Sequence, residues 1–231
     1  MSHKVFIERL SQLEARLLEM SSTVERIVQM AMDFALEGEG SPQDVIELDR
    51  LIDAEEVAIE EEAIELLALH QPMAVDLRLV VTILKSNSDL ERVGDHAVNI
   101  SICAKRLTEY RMIAPEPELV EMSRLARDML AQAIDAFVRR DADGGRSVCR
   151  QDDQVDALNR SMFRILITHM AEDPHTIGAA MELFLVSRNL ERVADLATNV
   201  AEDVVFLVEG KSIKHGAERR EEEADKADKA D

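Results

Sequence analysis

Tryptophan is absent, and one tyrosine with six phenylalanines leaves aromatics at 3% of the 231 residues. A sheet would lack the aromatic and β-branched side chains it needs, whereas the Leu, Ala, Met, Glu and Arg that abound are helix formers. Only five prolines and eight glycines interrupt them, so the helices can be long. Two cysteines, Cys103 and Cys149, are too few for a disulfide scaffold and suit a reducing compartment. No apolar run reaches the ~18 residues of a spanning helix, and the first residues hold no apolar stretch of signal-peptide length. A soluble, cytoplasmic chain without direct membrane insertion is expected. Basic residues are also scarce: 27 Lys and Arg stand against 47 Asp and Glu, a formal charge of −20. That deficit argues against nucleic-acid binding through phosphates and against adhesion to an anionic membrane by charge alone. Cations and basic protein surfaces are the natural partners.

What is present is helical periodicity. Leu10, Leu13, Leu17, Met20, Val24, Ile27, Ala31 and Phe34 recur at intervals of three and four, predicting a bundle helix over 3–37. Ser41 as N-cap, Pro42 at the first helical position and Asp44 in the first turn open a second helix, with Val45, Leu48, Ile52, Ile59, Ala63 and Leu66 inward. It stops at Gln71-Pro72, and a third runs from about Met73 to Arg111. Ala114-Pro-Glu-Pro-Glu118 cannot lie inside a helix and reads as a linker. A fourth helix spans about Glu118 to Arg140, with Leu119, Met122, Leu125, Met129 and Ala133 inward. Asp141-Ala-Asp-Gly-Gly145 is expected to be a turn. A fifth helix carries Val148, Val155, Leu158, Met162 and Ile165 and breaks at Asp173-Pro174; a sixth, with Ile177, Phe184 and Val193 inward, ends near Gly210.

Within the third and sixth helices one pattern occurs twice. Asp89-Leu-Glu-Arg-Val-Gly-Asp95 returns one hundred residues later as Asn189-Leu-Glu-Arg-Val-Ala-Asp195. The acids Glu91/Asp95 and Glu191/Asp195 stand four apart, and Asn99 or Asn199 follows at the same interval, so each copy lays oxygen donors along one helix face. Pro72 and Pro174 are 102 apart, and Asp49/Asp53 matches Asp152/Asp156 at a separation of 103. Landmarks in one order predict an all-α fold of two tandem antiparallel three-helix bundles, residues 1–113 and 114–212, related by an internal repeat. The segment 213–231 is low-complexity and charged, and is expected to be disordered.

A pair of acids four apart is weak by itself, since chance gives roughly nine such pairs in so acidic a chain. The bland reading is a solvated face, with Arg92 and Arg192 neutralising their neighbours. The sharper one is that Asp49 and Asp53 face Glu91 and Asp95, while Asp152 and Asp156 face Glu191 and Asp195. Four carboxylates from two helices would suit Mg²⁺, Mn²⁺, Ca²⁺ or iron. On the residues alone both stay open. Leu90, Leu190, Val93 and Val193 fall on the core side, and a small residue at Gly94 and Ala194 suggests close packing of a neighbouring helix. Arg78 reads as a surface partner of Asp76. His96 has Leu196 as its counterpart, so a structural role is expected of it rather than ligation. A di-iron carboxylate enzyme would want paired Glu-x-x-His motifs, and the one instance, Glu172 to His175, straddles Pro174. There is no Walker-type phosphate loop, and no Ser or Cys nucleophile has a base beside it in a repeated setting.

The tandem stretches Leu90-Glu-Arg-Val-Gly-Asp-His-Ala-Val-Asn99 and Leu190-Glu-Arg-Val-Ala-Asp-Leu-Ala-Thr-Asn199, with Gln71-Pro-Met-Ala-Val-Asp-Leu-Arg78 and Met170-Ala-Glu-Asp-Pro174, resemble the PhoU family of phosphate-uptake regulators over roughly residues 5–210. The resemblance implies two three-helix bundles, often homodimeric, in the bacterial cytoplasm and at the inner membrane only through partners. It implies a non-enzymatic negative regulator of phosphate uptake and of the phosphate-starvation response, linking the phosphate ABC transporter ATPase subunit to a sensor histidine kinase. It also implies multinuclear metal clusters on acidic motifs, here Asp49, Asp53, Glu91 and Asp95 at one site and Asp152, Asp156, Glu191 and Asp195 at the other, with Mg, Mn, Fe or Zn as candidate metals. Asn189 in place of Asp89 departs from the repeat and weakens any ligand role for that position. Two other classes compete: a metal-dependent hydrolase or oxidase on the same carboxylates, and a helical spacer in which the acids only solubilise.

Overall fold

The computed structural model describes residues 3–110 and 116–214, so residues 114 and 115 of the expected linker and the charged tail beyond residue 214 lie outside the described residues; the rest of that linker is not a spacer, since Glu116 caps the fourth helix and Pro117 and Glu118 open it. Within them the chain is all-α: α1 His3–Glu37, α2 Pro42–His70, α3 Ala74–Leu107, α4 Pro117–Arg139, α5 Ala142–Glu172, a 3₁₀ turn Pro174–Thr176, and α6 Ile177–Glu209. The first three helices pack on one another, as do the last three. Helix ends follow local chemistry. The Ser41 hydroxyl accepts from the Gln43 N–H at 3.1 Å and Pro42 opens α2. Gln71, at φ +46°, closes α2 ahead of Pro72. Gly210, at φ +73°, takes the left-handed position after α6, where a glycine bears no Cβ penalty.

The expected inward stripes are largely buried. Leu13, Val24, Ile27, Ile52, Ile59, Leu66, Met122, Met129, Val148 and Met162 are all fully enclosed, each worth about 1.5–3 kcal/mol relative to exposure for the larger side chains. Ile177 is not: it begins α6 at the outer end of the α5–α6 hairpin and is 47% exposed. The third helix is shorter than expected and stops at Leu107, where the Thr108 hydroxyl donates to the Lys105 carbonyl at 2.7 Å. The expected turn at Asp141–Gly145 is mostly helix. Asp141 is the N-cap, accepting from the Gly144 N–H at 2.9 Å, and Gly144 and Gly145 belong to α5. Gly145 is required by packing instead: a Cβ there would stand 2.7 Å from the Ala201 carbonyl of α6.

The two halves share one continuous core, joined along α3 and α6. These run antiparallel, since partners on α6 fall in number as those on α3 rise. Arg78 Nε donates to Leu207 O at 3.1 Å, Lys85 Nζ meets Asp203 Oδ1 at 3.2 Å, His96 Nδ1 meets Asn189 Oδ1 at 2.9 Å, and Arg106 Nη1 lies 3.8 Å from Glu182 Oε1. Arg78 thus reaches the end of α6 rather than serving as a surface partner of Asp76. The midpoint of this ladder falls inside the two repeated motifs. Each half also has a polar link to its motif-bearing helix at one equivalent slot: Asn87 Nδ2 donates to Glu56 O at 2.9 Å, and Ser187 Oγ donates to Asn159 Oδ1 at 3.1 Å. They hold α2 in register with α3 and α5 in register with α6.

Replacing a helical glycine by alanine ordinarily gains about 1 kcal/mol. Gly145→Ala should instead cost about 1–2 kcal/mol net, because its Cβ overpacks the α5–α6 contact, and lower the Tm by roughly 2–8 °C. A Tm that rises in thermal unfolding would show that the helices separate freely there.

Candidate metal centre

The core forces acids together. Ile52 faces α3 from one side of α2, which places Asp49 and Asp53 beside the α3 motif. The approach is close: Asp49 Oδ1 lies 2.8 Å from where a Cβ on Gly94 would stand. Gly94 is therefore the cradle for a carboxylate, and Ala194 puts a methyl in the corresponding position of the other half.

All eight expected residues are drawn into two groups of four. Burial foremost, then the charges of Asp53 and Asp95, pushes Asp49 up to about 6. Burial, then Asp95, Asp53, Glu56 and Asp49, raises Glu91. In the second half burial, then Asp195, Asp156, Asp153 and Glu191, pushes Asp152 up to about 6. Burial also raises Glu191, against the lowering effect of Arg188 and with the help of Asp195.

The groups differ in how their charge is answered. Arg188 Nη1 lies 3.1 Å from Glu191, Arg192 Nη1 2.8 Å from Asp195, and Arg160 Nη1 3.4 Å from Asp156. In the first half Arg92 turns away to Asp89, at 3.7 Å. Among the described residues, no lysine or arginine lies within 4.0 Å of Asp49, Asp53, Glu91 or Asp95. Two buried oxygens, Asp49 Oδ1 and Glu191 Oε2, have no hydrogen-bond donor.

Sequence reasoning missed a fifth acid in the first group. Glu56 is raised by burial, by Glu60 and by Asp53, and its charge is felt at Glu91. Its signal was its place one turn beyond Asp53, on the same face of α2; its counterpart is the uncharged Asn159. The Asn pair also divides. Asn99 is exposed, whereas Asn199 hydrogen-bonds Asp89 across the α3–α6 seam and lines a cavity of about 250 Å³ with Arg92, His96, Asp152, Arg192 and Asp195. The Cys149 thiol, one turn before Asp152, is pushed up to about 11 by burial and Glu202, so it stays protonated in the metal-free chain.

A hard-oxygen donor set with donorless buried atoms fits a divalent cation. Among the described residues no three carboxylate, imidazole or thiol groups converge closely enough to hold one as they stand. Closing either group takes side-chain rotation, which mutual repulsion opposes while no cation is present.

The chain is similar to known proteins along nearly all of its length. A family model described as the PhoU domain matches it twice, at residues 17–104 and 119–204. The phosphate-specific transport system accessory protein PhoU homolog of Clostridium acetobutylicum is 36% identical over 216 residues, 92% of this chain and 98% of that one. Its namesake from Pseudomonas aeruginosa is 37% identical over 224 residues, 95% and 92% of the two chains. The crystal structure of PhoU from Pseudomonas aeruginosa matches with a TM-score of 0.85 and 37% identity, covering 89% of this chain and 100% of that one. That of the phosphate transport system regulatory protein PhoU from Streptococcus pneumoniae matches with 0.83 and 30%, covering 90% and 99%.

The raised carboxyls fix a pH dependence. Asp49 and Asp152 titrate near about 6 rather than 3.8, so between these values the folded chain holds protons that the unfolded chain has released. Stability from this source is present below about pH 4 and is lost as pH rises through about 6. Both groups are half-buried rather than enclosed, and solvent screening keeps the effect to about 1 kcal/mol. In chelator-treated protein, Asp49→Asn with Asp152→Asn should match wild type near pH 4 and melt roughly 2–4 °C above it at pH 7. A gap that narrows with rising pH would contradict the assignment.

Proposed function

This chain belongs to the PhoU family, and on that premise we propose that it is a metal-binding negative regulator that couples the phosphate ABC transporter ATPase subunit to a sensor histidine kinase. A role in regulating phosphate transport rests on relatives named as accessory and regulatory proteins of that system, which match this chain over most of their length. Those names describe regulators rather than enzymes, and the chain is not an enzyme.

One observation carries the metal-binding part: a carboxylate group in the first half that, among the described residues, no lysine or arginine within 4.0 Å neutralises, with a buried Asp49 oxygen lacking a donor there. Asp49, Asp53, Glu91 and Asp95 would hold one site, and Asp152, Asp156, Glu191 and Asp195 the other, for Mg, Mn, Fe or Zn. Bound metal supplies positive charge that cancels the repulsion between helices. The carboxylates then hold α2 to α3 and α5 to α6, and the acidic face keeps one shape. On a chain of formal charge −20, such a face favours basic surfaces on its partners. The reading is completed by a homodimer working in the cytoplasm, which docks to transporter and kinase when phosphate is plentiful. No helix among the described residues is long and apolar enough to cross a membrane.

At one hundred times its Kd, a cation that binds only the folded chain adds about 2.7 kcal/mol, or roughly 5–10 °C of Tm in a chain this size. Mn²⁺ or Mg²⁺ should produce such a rise in wild type and a much smaller one after Asp95→Asn with Asp195→Asn. Equal melting with and without metal would leave the acids as a solubilising surface on a spacer. Deleting the gene should leave phosphate-starvation genes active in rich phosphate, and normal repression there would reject the regulatory role.

A further inference from the structure

The repeat is inverted in charge on the outer face of its second helix. Between residues 54 and 68, α2 carries six acids and no base, whereas the matching stretch of α5, residues 157–171, carries Arg160 and Arg164 and no acid. The separation of 103 sets Val57 against Arg160, Glu60 against Phe163, Glu61 against Arg164 and Ile64 against Ile167. All eight are exposed, because they point away from Ile59 and Met162, which each helix turns into the core.

The two surfaces complement each other. On α5 and α6 large apolar side chains lie open, with Phe163 at 49%, Ile167 at 46% and Met181 at 47% exposure. The Phe163 and Phe184 rings, 5.4 Å apart between centroids, bridge the two helices, so these side chains form one patch. Arg160, 3.4 Å from Asp156, borders it together with Arg164, which has no carboxylate within 4.0 Å among the described residues. On α2, Val57 and Ile64 are 50% and 54% exposed. Arg9 and Arg16 of α1 answer Glu65, Glu55 and Glu62 on the flanks of that helix. Glu60 and Glu61 have no lysine or arginine within 4.0 Å among the described residues. One half thus shows an apolar strip rimmed by acids, and the other an apolar patch rimmed by arginines.

We propose that these surfaces take each other in a second copy of this chain, α2 of each copy lying on the α5–α6 patch of the other. Phe163 and Ile167 bury against Val57 and Ile64, and Glu60 and Glu61 facing Arg160 and Arg164 of the other copy set the register. Asp53 and Asp156 lie one turn before Val57 and Arg160, so each surface adjoins the acid-bearing side of its half. Both motifs open on one cavity, lined by Arg92 and His96 of α3 and by Arg192 and Asp195 of α6, so those sides face the same way. A twofold axis then closes both contacts at once, and the assembly stops at a dimer instead of growing as an open chain. The inference rests on the homodimer in the reading above and deepens it by naming the surfaces. The occupant is another copy because the complement, in sign and in apolar character, is present on the same molecule.

Sedimentation equilibrium of the full chain should give a dimer. Glu60→Lys with Glu61→Lys, or Arg160→Glu with Arg164→Glu, should raise the dimer Kd at least about 30-fold, because a twofold contact meets each reversal twice. Phe163→Ser should do likewise by removing the apolar anchor. All these side chains are exposed, so helical circular dichroism should stay at the wild-type level. Mixing the two charge-reversed chains in equal amounts should restore a heterodimer of near wild-type affinity, since reversed α2 meets reversed α5 and native α2 meets native α5. A dimer that tolerates both reversals, or reversed chains that stay apart when mixed, would overturn the pairing of these surfaces and leave a homodimer formed elsewhere. A wild-type chain that sediments as a monomer would overturn the homodimer too, and leave the metal-binding and regulatory parts of that reading standing.

Discussion

Like charges are held together here by something stronger than their repulsion. Two carboxylates four apart on an isolated helix oppose each other by about 0.2–0.5 kcal/mol, and a face-to-face group multiplies that term. Against it stand the buried side chains of α2, α3, α5 and α6, each worth about 1.5–3 kcal/mol for a residue such as Ile52, Ile59, Leu90 or Leu190. Packing wins, so the acids cannot separate without opening the core. Gly94 makes the compression visible, because only a missing Cβ admits the Asp49 carboxylate that far. What remains is a packed scaffold whose first-half carboxylates have no lysine or arginine within 4.0 Å among the described residues. Such a scaffold gains most from the arrival of a cation.

The α3–α6 seam turns two copies of one unit into one molecule. Its ladder of contacts includes Asp203, a fully buried carboxylate that meets Lys85 and Lys214 at 3.2 Å each. A buried charge of this kind is tolerable only when paired, and the pairing ties α3 to α6 through Lys85 and draws the chain beyond α6 back onto α6 through Lys214. Because the motifs cross at the seam, residues of one half stand beside the carboxylates of the other, and Asn199 and His96 both do so. A shift in either carboxylate group therefore reaches the helix that joins the halves, a physical route by which cation occupancy could alter the surface offered to partners.

Much of this was legible in the chain. Heptad-like spacing, the Ser41-Pro42 cap and the breaks at Pro72 and Pro174 gave six helices close to their ends, and the repeated acids gave the two groups. The misses share a cause, which is that they depend on a neighbour distant in sequence. Gly144 and Gly145 look like a turn until Asp141 caps the helix they open and the Ala201 carbonyl of α6 is placed against Gly145. Glu56 was hidden because the repeat offers Asn159 in its place. Arg78 looked like a surface residue because its acceptor, the Leu207 carbonyl, belongs to the other half. The His96–Asn189 contact was hidden in the same way, since Asn189 is itself a departure from the repeat and only the antiparallel seam brings the two together.

The most direct measurement is the metal content of the chain purified without chelator or metal-affinity resin, by elemental analysis, for wild type and for chains with the carboxylates of one half changed to amides. At least two metal ions per wild-type chain are expected, falling by about half when either group is neutralised. A wild-type chain free of metal, or a content that ignores these substitutions, would contradict the claim that the repeat gathers its acids to hold cations.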